Sequence, residues 1–210
     1  MSEIDFWFSI GSTYSYLSVM RLSAVSAEAG ISFRWRPFNV RTIMRETDNI
    51  PFANKPVKAA YMWRDVERRA AMYGLHPRLP APYPLKELEL ANRVAIIGME
   101  EGWGETYTRA AYEGWFERGE PAGSEPNLSV SITAAGQSVT TVLERATGPT
   151  GEHGLAEATD AARALGIFGS PTFAVGSELF WGDDRLDDAV AWSRGEAALQ
   201  KRMVDLSLRE

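Results

Sequence analysis

The chain has no cysteine. Disulfides, thiolate metal sites and any thiol chemistry owned by the protein are therefore excluded. Histidine is scarce: His76 and His153 are the only imidazoles and lie far apart in sequence, a poor basis for a histidine metal site or a Ser-His-Asp triad, so no metal is expected. No apolar run reaches the ~18 residues of a membrane-spanning helix. The opening "MSEIDFWF" runs directly into an apparent strand without a secretory leader, and a cytoplasmic location with no membrane partner is the expectation. Positive charge is also short, with Lys and Arg at 22 against 28 for Asp and Glu and a net charge of −6. No basic stripe can follow a phosphate backbone, so nucleic acid is not an expected partner. A reactive group has to come from outside the chain.

What is present suits a globular protein, with 45% of the 210 residues hydrophobic and 24% charged. "IDFWFSI" alternates large apolar residues and predicts a strand over 4–10. Tyr16, Leu17, Met20, Leu22 and Val25 then recur at helical spacing up to Gly30, a natural C-terminal stop. "ISFRWRPFNV" predicts a second strand, and a β-α-β opening of this length implies a parallel pair. From Lys55 to Gly148 four segments carry helical periodicity: "KAAYMWRDVERRAAMYG", "LKELELANRVAIIGMEEG", "GETYTRAAYEGWFERG" and "GQSVTTVLERATG". A further helix, "GLAEATDAARALGI", leads to Thr172–Val175 and Glu178–Trp181, two short strands across a Gly-Ser turn that predict an antiparallel hairpin before a last helix. The fold class is α/β: a thioredoxin-like fold with the order β-α-β … α-β-β-α, its two halves at 1–50 and 149–210, interrupted by an inserted all-helical domain at 51–148.

In thioredoxin-like folds the first helix opens on a reactive C-x-x-C pair at the positive end of its dipole. Those positions here read "STYS", so Ser12 and Ser15 stand where two sulfurs would be. Dithiol redox chemistry is excluded, yet the helix terminus and a hydroxyl donor remain, which suits binding another molecule's thiolate. Taken locally, Ser12 or Thr13 is a helix N-cap. Two distant segments favour a site: Thr13 becomes the expected structural cap and Ser12 the thiolate partner. "GSPTF" puts Pro171 at the first residue of a strand, where it cannot donate to the ladder. In this fold that proline is cis, so Ser170 presents its backbone to an extended peptide. "WGDDRL", from Trp181 to Leu186, opens the final helix with two acids that are either caps or an ammonium site, with free amides for a carboxylate. Thiol at Ser12, peptide backbone at Ser170 and γ-glutamyl end at the last helix together match glutathione.

"DFWFSIGSTYSYL", Asp48-Asn49 followed by "NKPVKAAYMWRDVERRA", and "GIFGSPTFAVGSELFWGDDRL" resemble the 2-hydroxychromene-2-carboxylate isomerases and, more distantly, the kappa-class glutathione transferases. The resemblance spans the chain and implies glutathione as cofactor, with Ser12 the catalytic residue at its sulfur. It assigns Asn49, Ser170, Pro171, Trp181, Gly182, Asp183 and Asp184 to glutathione binding. On the substrate side it assigns Asn54, with Arg41 a further candidate there; Met44 and Pro82 replace the side chains of hydrocarbon-degrading members, and Thr13 replaces the usual proline after the serine. The small-molecule partner it implies is aromatic and the assembly a homodimer. The implied reaction is reversible thiolate addition to an activated double bond, bond rotation and elimination. Free thiols titrate near ~8.5, and a drop of ~2 units at Ser12 corresponds to roughly 2.7 kcal/mol of thiolate stabilisation. Two other readings stand beside this one: a kappa-type transferase that consumes glutathione, and a non-catalytic thioredoxin-fold module that holds a peptide at the proline edge.

Overall fold

The computed structural model describes residues 3–50, 52 and 55–195. Strand β1 (Glu3–Phe8) pairs in parallel with β2 (Ser32–Pro37) and antiparallel with β3 (Thr172–Val175), which pairs antiparallel with β4 (Glu178–Trp181). The sheet order is β2-β1-β3-β4. Strand β1 is central; one face is wholly apolar and the other carries Glu3, Asp5 and the buried Trp7, with Asp5 paired to Arg34 and Arg36 of β2. Ile4, Phe6 and Phe8 enter the main core, where Phe6 stacks on Phe173 at 5.4 Å and meets Trp35 edge-on at 5.1 Å. Trp7 points the other way, into a second cluster with Phe38, Ile43 and Ile167.

Helix α1 (Thr13–Ala29) ends where the sequence predicts, with Gly30 left-handed at φ 65° and its N–H bonded to Ser26 O. The hairpin occupies the predicted residues, and the Ser170–Pro171 bond is cis. Strand β2 is shorter than the 31–40 reading, because Asn39 already caps a helix the sequence reading lacked, α2 (Val40–Glu46). The four periodic segments form α3 (Pro56–Met72), α4 (Leu88–Glu101), α5 (Gly104–Glu113) with a π turn at Gly114–Arg118, and α7 (Val139–Ala146). A second unforeseen helix, α6 (Asn127–Ala134), precedes α7. Helix α8 (Pro149–Ala164) starts at its proline, five residues before "GLAEATD". A short 3-10 turn (Asp183–Arg185) then leads into α9 (Leu186–Ser193).

One apolar cluster runs from Phe6 and Phe8 of the sheet through Leu17 of α1 to Val94 of α4 and Trp115 of the π turn. The helical segment thereby reaches the end of β1, where the chain turns into α1.

Candidate active site at the start of the first helix

The turn from β1 to α1 is held by side chains from the helical segment. Asn92 of α4 is fully buried and grips Ile10 on both sides: Ile10 N–H donates to its Oδ1 at 2.9 Å, and its Nδ2 donates to Ile10 O at 2.9 Å and Leu88 O at 2.7 Å. Tyr112 of α5 donates its hydroxyl to Ser9 O at 2.9 Å and Ser12 O at 3.2 Å, and complete burial raises its pKa far above the ordinary phenol value. Ser9 N–H donates to Ser170 Oγ at 2.9 Å. Gly11 has φ 134°, and a Cβ there would collide with the Leu88 side chain, so only glycine fits between β1 and α4. Removing the phenol oxygen deletes both bonds, leaving Ser9 O with the Ser12 N–H at 2.9 Å and Ser12 O without its side-chain donor. Tyr112→Phe is therefore expected to cost ~1–2 kcal/mol and lower Tm by about 2–8 °C for a domain of this size. An unshifted melting curve would show that the phenol is not what fixes the turn.

Ser12 is the N-cap of α1. Its backbone is extended at φ −85° and ψ 123°, and its Oγ accepts from Ser15 N–H at 3.4 Å. This corrects the assignment of the cap to Thr13: a cap must precede the first helical residue, and Thr13 is that residue, buried with Oγ1 donating to Met62 Sδ at 3.1 Å. The Ser12 hydroxyl donates its proton to Ser170 O at 2.7 Å. Ser15, at the second sulfur-equivalent position, is fully buried and shares a 2.8 Å hydrogen bond with Ser170 Oγ. Of the two serines only Ser12 reaches the surface. The amides of Thr13 and Tyr14 have no acceptor among the described residues, as expected for a helix start.

A cleft of about 670 Å³ opens over this helix start. It brings together Ser12, Arg41, Asn49, Ser170 and Trp181 of the predicted site. Met44 also lines it, whereas Pro82 turns its carbonyl to Trp115 Nε1 at 2.7 Å. Pro171, Gly182, Asp183 and Asp184 do not line the cleft. Asp183 is 2% exposed: Arg69 Nε donates to its Oδ2 at 2.8 Å, Tyr73 OH to the same oxygen at 3.4 Å, and Ser18 Oγ to Oδ1 at 3.3 Å. Burial still raises its carboxyl above the usual range, opposed by Arg69 and Arg21. Asp184 is exposed and pairs with Arg185 at 2.6 Å. Asn54 lies outside the described residues. Asn92 and Tyr112 had escaped the sequence reading. The one signal for Asn92 is an amide inside the apolar run "LANRVAII".

The chain matches the family model of the DSBA-like thioredoxin domain over residues 3–191. A 2-hydroxychromene-2-carboxylate isomerase of Sphingobium xenophagum is 27% identical over 186 residues, covering 88% of this chain and 94% of that protein. Glutathione S-transferase kappa 1 of Caenorhabditis elegans is 26% identical over 200 residues, covering 88% of each. Among solved structures, a 2-hydroxychromene-2-carboxylate isomerase superposes with a TM-score of 0.81 at 24% identity, over 97% of this chain and 98% of the other. The cytosolic disulfide reductase DsbM of Pseudomonas aeruginosa, solved with GSH, gives 0.61 at 15% identity, over 93% and 99%. These two structures share the fold. Among the described residues no helix is long and apolar enough to cross a membrane.

Proposed function

We propose that this chain, which belongs to the DSBA-like thioredoxin domain family, is a glutathione-dependent cis-trans isomerase acting on an intermediate of aromatic catabolism. The observation that carries the reading is a half-exposed Ser12 hydroxyl beside two unpartnered helix amides, in a cleft that no carboxylate, imidazole or thiol lines. Such a site can stabilise a sulfur anion but cannot itself supply a nucleophile. Curated relatives named as isomerases and as a glutathione transferase support the same direction.

The residues present fit the tripeptide. Thr13 and Tyr14 N–H aim free donors from the helix start, and Ser170 offers backbone groups at the cleft wall. Glutathione would supply the thiol that the chain lacks, adding to and leaving an activated double bond without being consumed. Ser12 turns its O–H from Ser170 O to the sulfur, exchanging a neutral hydrogen bond for a charge-assisted one about twice as strong. Ser170 and Pro171 hold the peptide edge. Asn49, Trp181, Gly182, Asp183 and Asp184 face or support the γ-glutamyl end, with Asp183 acting through the Arg69 network that fixes the 3-10 turn. Arg41 and Asn54 take the substrate, and the working unit is a homodimer in the cytoplasm.

Calorimetric titration with glutathione tests the reading: a single site per chain is expected, and absence of heat for the wild type overturns it. The kappa-class relative favours a second reading, a transferase on the same thiol site. With a chlorinated aromatic acceptor a stable conjugate accumulates only if that reading holds.

A further inference from the structure

The Ser12 hydroxyl has one proton, and it is committed: it donates to Ser170 O at 2.7 Å. The carbonyls on either side of that acceptor have donors of their own, Gly169 O from Thr172 Oγ1 at 2.9 Å and Pro171 O from Gly182 N–H at 2.9 Å. Among the described residues Ser170 O has Ser12 alone. Ser170 is 8% exposed and lines the cleft, so a hydroxyl that leaves it for another acceptor strips a nearly buried carbonyl.

That carbonyl cannot follow the hydroxyl. Ser170 Oγ accepts from Ser9 N–H at 2.9 Å and shares its 2.8 Å hydrogen bond with Ser15, and both partners are fully buried. An orphaned buried acceptor costs about as much as a hydrogen bond to a charged group contributes. Turning Ser12 from Ser170 O to an anion is therefore close to neutral by itself, and becomes favourable when a second donor takes the vacated place. Ser170 N–H has no acceptor among the described residues, so this one residue offers the donor and acceptor of a strand edge, which a peptide unit matches.

We propose that the thiol's own backbone releases Ser12: an amide N–H on the carbon that carries the mercaptomethyl group takes Ser170 O, and the displaced hydroxyl turns to the sulfur. The exchange makes Ser12 and Ser170 a selectivity device. It favours acylated cysteinyl thiols over thiols of equal reactivity that have no N–H at that carbon. The inference rests on the thiol-site reading, which puts a sulfur beside Ser12, and adds the condition under which the hydroxyl reaches it. A simple contact at Ser170 O would let the N–H strengthen binding only; the exchange lets it change the ionisation of the sulfur as well.

Two ligands that differ by that one group test it: glutathione, and its depsipeptide analogue in which an ester oxygen replaces the cysteinyl N–H. Each carries a labelled cysteinyl methylene carbon, whose NMR shift reports ionisation of the sulfur, and each is titrated with pH both free and bound to the full chain. After subtraction of the difference between the free thiols, the wild type is expected to lower the thiol pKa of glutathione by about one unit more than that of the analogue. In Ser12→Ala, and in Ser12→Gly, which keeps the helix start, the two bound thiols should titrate together, because no hydroxyl is left to release. Equal shifts for the two ligands on the wild type overturn the proposal and leave the thiol site standing, as does a difference that persists without the Ser12 hydroxyl. Failure of glutathione to bind the wild type overturns the thiol-site reading and the exchange with it.

Discussion

Ser12→Ala is expected to lower kcat by ~10–100-fold while changing glutathione affinity by less than about threefold. A hydrogen bond to a charged group is worth about 1.5–3 kcal/mol, which as lost thiolate stabilisation converts to that range. On the proposed reading the tripeptide's remaining contacts would lie elsewhere, at the backbone of Ser170 and around the 3-10 turn after β4. The pH profile should report the same loss. No carboxylate or imidazole lines the cleft. Burial and the hydrogen bond to Asp65 push the Tyr14 phenol far up, and burial raises Tyr83 as well. The thiol is then the group that titrates near neutrality, so wild-type kcat/KM should rise along a single limb centred near pH ~6.5. In Ser12→Ala that limb should move upward by about one unit or more.

Ser12 is also the cap of α1, so a loss of turnover could arise from the helix start instead. Substituting a cap by alanine costs about 0.5–2 kcal/mol, but by glycine only a few tenths. Ser12→Gly should therefore melt close to the wild type and still share the fall in kcat. If Ser12→Gly keeps full turnover, the hydroxyl acts only by ordering the helix and has no role at the sulfur.

The parts of this site legible in the sequence are those with local causes. Gly30 stops α1 because left-handed backbone suits glycine; Gly-Ser between two short apolar runs makes a hairpin; Pro171 can begin a strand but not sit inside one. Each signal lies within a few residues of its effect. Helix α6 was illegible because "NLSVSITA" is rich in Ser and β-branched residues with weak helical preference, and forms a helix only by burying Leu128 and Ile132. Helix α2, two turns long, has too few residues to show a period. The cap falls at Ser12 and not at Thr13: both residue types can cap a helix, and the choice depends on where extended backbone ends. The role of Ser170 as the joint of the turn was beyond sequence reasoning, since its hydroxyl meets Ser9 and Ser15 and its carbonyl meets Ser12, residues at least 155 positions away.

That dependence on distant partners makes Asn92 the most sensitive position of the turn. Its side chain satisfies Ile10 N–H, Ile10 O and Leu88 O where no solvent reaches it. Asn92→Ala removes three hydrogen bonds, leaves the Ile10 N–H and C=O unpaired in a dry site while Leu88 O keeps its place in the α4 ladder, and opens a void beside Ile10. A buried unsatisfied group costs ~1–3 kcal/mol, and partial relaxation of the void tempers the sum. The expected loss is ~3–5 kcal/mol, or a Tm lower by about 6–20 °C. Asn92→Leu fills the volume but restores no partner, so it should melt within a few degrees of Asn92→Ala. Asn92→Asp keeps an acceptor for Ile10 N–H but turns oxygen toward two carbonyls, and should lie no higher. Below the melting range all three variants should also lose kcat, because Gly11 and Ser12 follow Ile10 without another tether to α4. If Asn92→Leu melts like the wild type, the backbone of Ile10 finds other partners, and the helical segment does not hold the catalytic turn through this amide.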